Sequence, residues 1–546
     1  MAALMSNKFV DLFDFILDLE QDEINTTPLF TQAVRDGTKQ GNQNRLQKPS
    51  GALTQFGVLA LNITKIDPVP TQILRAATEP DRRILYNVAA PSSMFICGSQ
   101  GSGKSHTLST ILENCLLAHE GSVLPRPLTG LVFHYDTFIS DKGGAPCEAA
   151  YLSSNPDIKV KVLCPPTNIR NLKVLLPLKS DGTLFPFAAN SQKKIYSKLP
   201  NVTVEELLLN ESDLNTRRMR DLMAVSSVQG GGMPLYLHTV ERILRDLRRE
   251  QQLTDQPFSY SAFKRAIAAE TLTGGQLGPL QQRLDNLESF MVKAQAVPDM
   301  PIPSKNGKKK NKTNNASFGQ EKGNDWTPAA GTLTIVDLSC PCVTAETACL
   351  LFNICLGIFL EQDTKIGRVI ALDEAHKYML DGVECRALTE SLLSIIRQQR
   401  HLGARVIIST QEPTISPKLL DLCSVTIVHR FTSPVWLQSL RQHLAGSSAL
   451  EAALAQGTKR NQNGITEAQR TKAKLSPCYS FSSADELFSK IVNLRTGEAL
   501  VFAPNAVIGR TDQLTGSRLV RLGDSVMKVL VRRRVTADGG GSIMAA

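Results

Sequence analysis

The sequence predicts an α/β fold with a parallel central sheet and a helical insertion, and three observations carry that expectation. An apolar run, Met94-Phe95-Ile96-Cys97, empties into a glycine-rich turn, Gly98 to Ser105, and helical spacing resumes at once from His106 to Leu117. Further short apolar runs recur at intervals long enough for crossover helices, which is the pattern of a parallel sheet. From about 203 to 296 the periodicity changes to that of helices alone.

The turn reads G-x-x-x-x-G-K-S without a mismatch: Gly98, Ser99, Gln100, Gly101, Ser102, Gly103, Lys104, Ser105. Each residue type answers a chemical need. Glycines let backbone N–H groups close around phosphate oxygens, Lys104 reaches the β- and γ-phosphates, and the Ser105 hydroxyl suits Mg²⁺. With the following residue His106 these positions form the expected nucleotide-binding set. The helix start adds its dipole and its unpaired N–H groups, which favour an anion.

Taken in order, Phe56–Ile63 reads as a strand, as do 129–136 and 158–163. In the helical stretch, Val240, Ile243, Leu244 and Leu247 share a face and Arg242, Arg245, Arg248 and Arg249 lie elsewhere. A solvated basic face is the simple reading and a nucleic-acid surface the sharper one. Pro279 suits a first helical turn, with Leu280, Leu284, Leu287 and Met291 following. Residues 304–315 are lysine- and asparagine-rich, a flexible basic linker. Strands then resume at 332–338, 368–374, 406–411 and 425–430, with an apolar helix over Ala348–Leu360. Near the end, 526–535 is strand-like and carries Arg532, Arg533 and Arg534 in succession, and the glycines at 539–541 read as a frayed tail. The expected organisation is an N-terminal extension over 1–80, partly disordered, and a core over 81–200 and 330–510. A helical insertion over 201–300, a basic linker over 301–329 and a basic strand and tail over 511–546 complete it.

Four apolar residues followed by Asp373-Glu374 supply the second half of a phosphate-cleaving site. Asp373 would hold Mg²⁺, and Glu374 would orient and deprotonate the attacking water. Alone such a strand end is a weak signal, and with a complete phosphate loop it is strong. Asp373-Glu374-Ala375-His376 also spells the box of a large helicase class, but a second P-loop-like domain with its arginine-rich motif is lacking, so His376 is read as a helix-start residue. Gln411, ending the strand before Glu412-Pro413, can hydrogen-bond both lytic water and γ-phosphate. Arg397 and Arg400, three apart on a helix and so on one face, are candidates for an arginine finger contributed to a neighbouring subunit, with surface ion pairing as the alternative. Arg430 and Arg441 stand in reserve.

The 546 residues, 42% of them hydrophobic, suffice for a full-sized core. Eleven cysteines without paired spacing point to reduced thiols inside a cell, cytoplasmic or nuclear, and away from a disulfide framework or a zinc site. The apolar run 348–360 is too short for a transmembrane segment. The stretch 9–20, apolar but interrupted by acids, reads as an amphipathic docking helix and not as a targeting peptide. A net charge of +10 permits a polyanionic partner without requiring one.

The order of motifs resembles the HerA/FtsK superfamily of P-loop ATPases. It comprises the phosphate loop, Ile335-Val336-Asp337-Leu338-Ser339, Leu372 to Tyr378, Arg397-x-x-Arg400-x-x-Gly403, Ser409-Thr410-Gln411-x-Pro413 and Leu494-Arg495-Thr496-Gly497-Glu498-Ala499. Within it the chain looks most like the HerA-type branch, and its full-length layout resembles a group of fungal P-loop NTPases. The resemblance spans roughly 80–180 and 330–505. It implies a RecA-like P-loop NTPase fold, ATP and Mg²⁺ as cofactors, an ATPase working in a hexameric homo-oligomeric ring, and commonly DNA as the translocated polymer. HerA proteins carry an N-terminal β-barrel, which residues 1–90 do not clearly encode. A nucleotide-dependent switch or scaffold, or a protein-remodelling ATPase, shares the same catalytic residues.

Overall fold

The computed structural model describes residues 22–36, 53–66, 69–137, 144–169, 195–223, 235–296, 322–363, 365–380, 382–443, 478–479, 484–511 and 518–539. The docking helix expected over 9–20, most of the loop over 35–44, the basic linker and the polar segment 457–474 lie outside them.

The strands are β1 (Leu29–Thr31), β2 (Phe56–Asn62), β3 (Arg83–Asn87), β4 (Ser93–Cys97), β5 (Ser122–Val123), β6 (Thr129–His134), β7 (Lys159–Cys164) and β8 (Val202–Glu206). They continue with β9 (Thr332–Asp337), β10 (Arg368–Leu372), β11 (Ala404–Thr410), β12 (Val425–Val428), β13 (Glu498–Phe502), β14 (Val507–Thr511), β15 (Arg518–Arg521) and β16 (Met527–Val531). The principal helices are α1 (Pro70–Thr78), α2 (Lys104–Leu116), α3 (Thr216–Met223), α4 (Leu235–Thr254), α5 (Tyr260–Ala268) and α6 (Gly274–Glu288). Then follow α7 (Ala345–Glu361), α8 (Val383–Arg397), α9 (Pro417–Leu422), α10 (Pro434–His443) and α11 (Ala484–Val492). Among the described residues no helix is long and apolar enough to cross a membrane.

One sheet holds all these strands. Its parallel part runs β12-β4-β11-β10-β6-β9-β7-β8. Beyond β12 the order continues β13-β16-β2-β3-β1, each neighbour antiparallel, so 56–62 and 527–531 are structural strands of the same sheet. Strand β4, which leads into the phosphate loop, is separated from β10, which leads to Asp373, by β11. This arrangement, flanked by β12 and β6, is the RecA-like P-loop order.

Both faces of the parallel strands are covered, which is why they read as continuous apolar runs. Phe95, Phe133, Ile370 and Leu372 point into the core under α7 and α8, while Met94, Ile96, Val369 and Ala371 point to the core containing Leu108, Ile111 and Leu112 of α2. The helical insertion packs on the first core through Val240, Ile243, Leu280 and Leu284. Two local expectations need correcting. The stretch from 201 opens with strand β8 before turning helical. Pro279 lies inside α6, whose cap is Thr273, well past the first turn. The reciprocal bonding of Thr273 and Gln276 starts the helix five residues earlier than the proline signal suggested.

Helix α2 buries polar residues as well as apolar ones, because residues 532–536 lie on it. Glu113, fully buried, accepts from Arg532 Nη1 at 2.7 Å, from Val535 N–H at 3.0 Å, from Thr536 N–H at 2.9 Å and from Thr536 Oγ1 at 2.6 Å. Burial acts to raise its pKa, but the Thr536 and Arg532 bonds outweigh that and hold it below the usual carboxylate range. Gly539, expected to fray, donates its N–H to Glu148 at 3.1 Å. Glu113→Ala leaves Arg532 and two N–H groups without their acceptor and is expected to cost about 3–5 kcal/mol, the range for breaking a buried ion pair. Urea denaturation checks the magnitude, and limited trypsinolysis at Arg532–Arg534 should become fast in the variant.

Candidate nucleotide site

The loop after β4 takes three left-handed glycines, with φ of +153° at Gly98, +72° at Gly101 and +112° at Gly103. Two of them are also sterically required. A Cβ on Gly98 would lie 2.7 Å from the His429 Cβ, and one on Gly103 would lie 3.1 Å from the Gly497 nitrogen. The loop is therefore packed from below by the end of β12 and by the turn before β13. Ser99 N–H donates to the Arg430 carbonyl at 2.8 Å, the Ser102 hydroxyl donates to the Ser99 carbonyl at 2.7 Å, and Gly497 N–H donates to the Ser102 carbonyl at 3.3 Å.

His429 binds this packing together. Its Nδ1 lies 2.9 Å from the Glu498 carbonyl and must be the donor, so Nε2, 2.9 Å from Thr107 Oγ1, accepts the hydroxyl proton. Burial pushes its pKa down to about 4, with the Glu498 carbonyl acting weakly in the opposite sense. The ring is thus neutral at pH 7. Lys104 Nζ donates to the Ser99 carbonyl at 3.1 Å. Burial lowers the lysine's pKa, and the Glu374 and Asp373 carboxylates pull the other way.

Strand β11 pairs with both neighbours in a register that sets Thr410 beside Cys97 and Ile408 beside Leu372. The residues that follow, Gln411, Gly98 and Asp373, consequently emerge at one edge of the sheet. Asp373 is buried, with Oδ2 3.2 Å from His134 Nδ1 and 3.8 Å from Cys147 Sγ, while Oδ1 has no hydrogen-bond partner. Burial pushes the Cys147 thiol up, so it stands protonated. Glu374 occupies the left-handed region at φ +48°, a conformation that costs a non-glycine residue about 1–3 kcal/mol. Its Oε2 accepts from Gln411 Nε2 at 3.0 Å.

His376 sits in a short helical turn, Ala375–Lys377, as the sequence suggested, and it does more than start that turn. Its Nδ1 accepts the Gln411 N–H at 3.3 Å, tying the end of β11 to the end of β10. The same nitrogen lies 3.4 Å from Glu374 Oε2. Because Nδ1 is already an acceptor and burial lowers the ring's pKa, this is a close approach of two acceptors and not an ion pair.

Lys104 and Glu374 face a cleft of about 740 Å³, lined also by Gln100, Ser105, Tyr151 and Arg533 among others. That is ample for a nucleotide. His106 also borders it, with Nε2 2.8 Å from the Arg532 carbonyl. The candidate residues Gly101, Gly103, Lys104, Ser105, His106 and Glu374 are brought together at the cleft, with Asp373 and Gln411 directly behind Glu374.

Arg397 and Arg400 are placed elsewhere. Helix α8 ends at Arg397, Gln398 breaks the helical path at φ −106° and ψ 10°, and a separate turn carries Arg400, so the two do not share one continuous helical face. Both are exposed and precede β11, at the edge where the parallel strands begin, opposite the phosphate loop. Four contributors escaped the sequence reading. His429 lies at a strand end without any motif around it. Arg533 was visible only as the middle of an arginine triplet, and Glu148 and Tyr151 lie in a short helical segment that no periodicity marks.

No family model matches the chain, and no curated protein does. Among solved structures it is similar to VirB4 of Thermoanaerobacter pseudethanolicus at 11% identity, over 85% of this chain and 96% of that one, with a TM-score of 0.36. It is similar to the unbound bacterial conjugative coupling protein TrwB at 11% identity, over 82% and 86%, with a TM-score of 0.37. The genome packaging NTPase B204 of Sulfolobus turreted icosahedral virus 2, bound to sulfate, matches at 13% identity over 35% and 68%, with a TM-score of 0.20. With every TM-score below 0.5, the fold assignment rests on the strand order and the loop geometry above.

The buried neutral His429 has a pH consequence. Its folded pKa of about 4 lies below the usual histidine value near 6.5, so between those limits the unfolded chain binds the extra proton. The His429 contribution to stability should therefore be constant above about pH 6.5 and fall as pH is lowered towards 4. Thermal melts of wild type and His429→Gln over this window check it: the variant should melt lower at pH 7.5 and show a flatter decline on acidification.

Proposed function

We propose that the chain binds ATP with Mg²⁺ and hydrolyses it, as a motor of the HerA/FtsK type acting on DNA. The observation that carries the hydrolytic part is the Gln411–Glu374 hydrogen bond at one edge of the sheet, with Glu374 lining the same cleft as Lys104. A bound triphosphate would take its phosphates from the loop N–H groups and exchange the Ser99 carbonyl for phosphate oxygen at Lys104 Nζ. Glu374 is then the base for a water placed between it and the γ-phosphorus. The water oxygen bonds to phosphorus, its proton passes to Glu374, and the bond to the β–γ bridging oxygen breaks to leave ADP. Gln411 holds the Glu374 carboxylate and offers its amide to the attacked phosphate.

The residues fit a divalent cation as well. Asp373 keeps one buried oxygen without a partner, and Ser105 lines the cleft. These two would hold Mg²⁺, which supplies charge against the phosphates. Asp373's other oxygen lies 3.2 Å from His134 Nδ1, which orients the carboxylate.

DNA as the polymer rests on the motif resemblance, together with a net charge of +10. Hexameric assembly rests on the same resemblance. In such a ring Arg397 or Arg400 would act on a neighbour's nucleotide, consistent with their distance from the loop of their own chain. Lys104→Ala should lose nucleotide binding, and Glu374→Gln should retain binding with turnover reduced at least a hundredfold. Steady-state hydrolysis with and without duplex DNA, over a salt series, is the assay. Salt-sensitive stimulation by DNA is expected. Undiminished turnover in Glu374→Gln would remove the base, and DNA-indifferent hydrolysis would assign the energy to a partner-binding switch instead.

A further inference from the structure

The arginine triplet after β16 is divided by the fold. Arg532 turns onto α2, with Nε donating to the Val58 carbonyl at 2.7 Å and Nη1 to Glu113 at 2.7 Å. Arg534, whose side chain is 2% exposed, pairs with Glu148 and lies 3.7 Å from Asp538. The middle residue, Arg533, points to neither of these anchors. It is exposed, lines the nucleotide cleft with Gly101, Lys104 and Ser105, and among the described residues its guanidinium has no hydrogen-bond or ion-pair partner.

Two partly buried ion pairs thus fix the backbone on either side of one unpaired cation at the mouth of a phosphate site. The approach has a direction. Arg533 follows β16 and Glu374 follows β10, and in the sheet these strands lie on opposite sides of β4. The Arg532 carbonyl reaches His106, near the start of α2 and away from Gln411. Glu374 and Lys104 define the γ end of the nucleotide, so a cation arriving from the other side meets the α- and β-phosphates.

Resting on the ATP-binding reading above, we propose that Arg533 is a nucleotide-positioning residue supplied by the chain's own C-terminal segment, holding the α/β-diphosphate group that ATP and ADP share. A guanidinium suits this role because its planar donors can hold phosphate oxygens in pairs. The role differs from that of an arginine finger, which meets charge developing on the γ-phosphoryl group. The segment's anchors on Glu113 and Glu148 give the side chain a fixed base from which to reach.

Isothermal titration of the full chain with Mg²⁺ and either ATPγS or ADP, and steady-state ATP hydrolysis, test it with Arg533→Ala and Arg533→Lys. Arg533→Ala should weaken both nucleotides about tenfold and raise KM with kcat within twofold of wild type, and Arg533→Lys should recover part of the affinity. Melting temperatures equal to wild type show that the segment remains docked. If it undocks, Arg533→Lys, which keeps the charge, supplies the comparison. Wild-type affinity for both nucleotides in Arg533→Ala, or a fall in kcat at unchanged affinity, overturns the proposal while the ATP site stands. Wild-type protein that binds neither nucleotide overturns the site itself.

Discussion

The site depends on one arrangement of backbone: β11 lies between β4 and β10, parallel to both and in register with both. Hydrogen bonding between strands fixes the relative height of their ends to within a residue. The end of β4 releases the phosphate loop, the end of β10 releases Asp373 and Glu374, and β11 delivers Gln411 between them. Had β4 and β10 been direct neighbours, no strand would stand between phosphate and base to carry an amide. The left-handed turn at Glu374 follows from this geometry, because the chain must leave β10 sharply to bring the carboxylate back to Gln411.

Around that core the antiparallel strands β13, β16, β2, β3 and β1 extend the sheet and bring the chain's end back over α2. Glu113 is the point of attachment. A carboxylate at zero exposure is tolerated on a helix only with its lone pairs filled, and Arg532, Val535 and Thr536 fill them. The helix carrying Lys104 and Ser105 at its start therefore carries the C-terminal segment on its flank. Nucleotide cleft and chain end are parts of one packed unit.

The fold and the central residues of the site were legible because each announces itself locally. The P-loop spells its own conformation through glycines, and doubly covered strands such as 368–372 and 404–410 read as unbroken apolar runs. Asp373, Glu374 and Gln411 follow as strand ends. What was not legible depends on contacts across long stretches of sequence. His429 is recognisable only once Thr107 and the Glu498 carbonyl stand on either side of it. The roles within Arg532–Arg534 need Glu113 and Glu148, several hundred residues away. For Arg397 and Arg400 only the shared face fails, for a local reason: spacing of three implies one face only while the helix continues, and Gln398 ends it.

The central claim is that the three strand ends act together on one triphosphate. Its most direct test is an experimental structure of the full chain with Mg²⁺ and a non-hydrolysable ATP analogue. The account predicts phosphates within the 98–105 loop, Lys104 Nζ moved from the Ser99 carbonyl to phosphate, the metal against Asp373 Oδ1 and Ser105, and Glu374 facing the γ-phosphate. An analogue bound elsewhere, or one seated in the loop with its γ-phosphate turned away from Glu374 and Gln411, would contradict it.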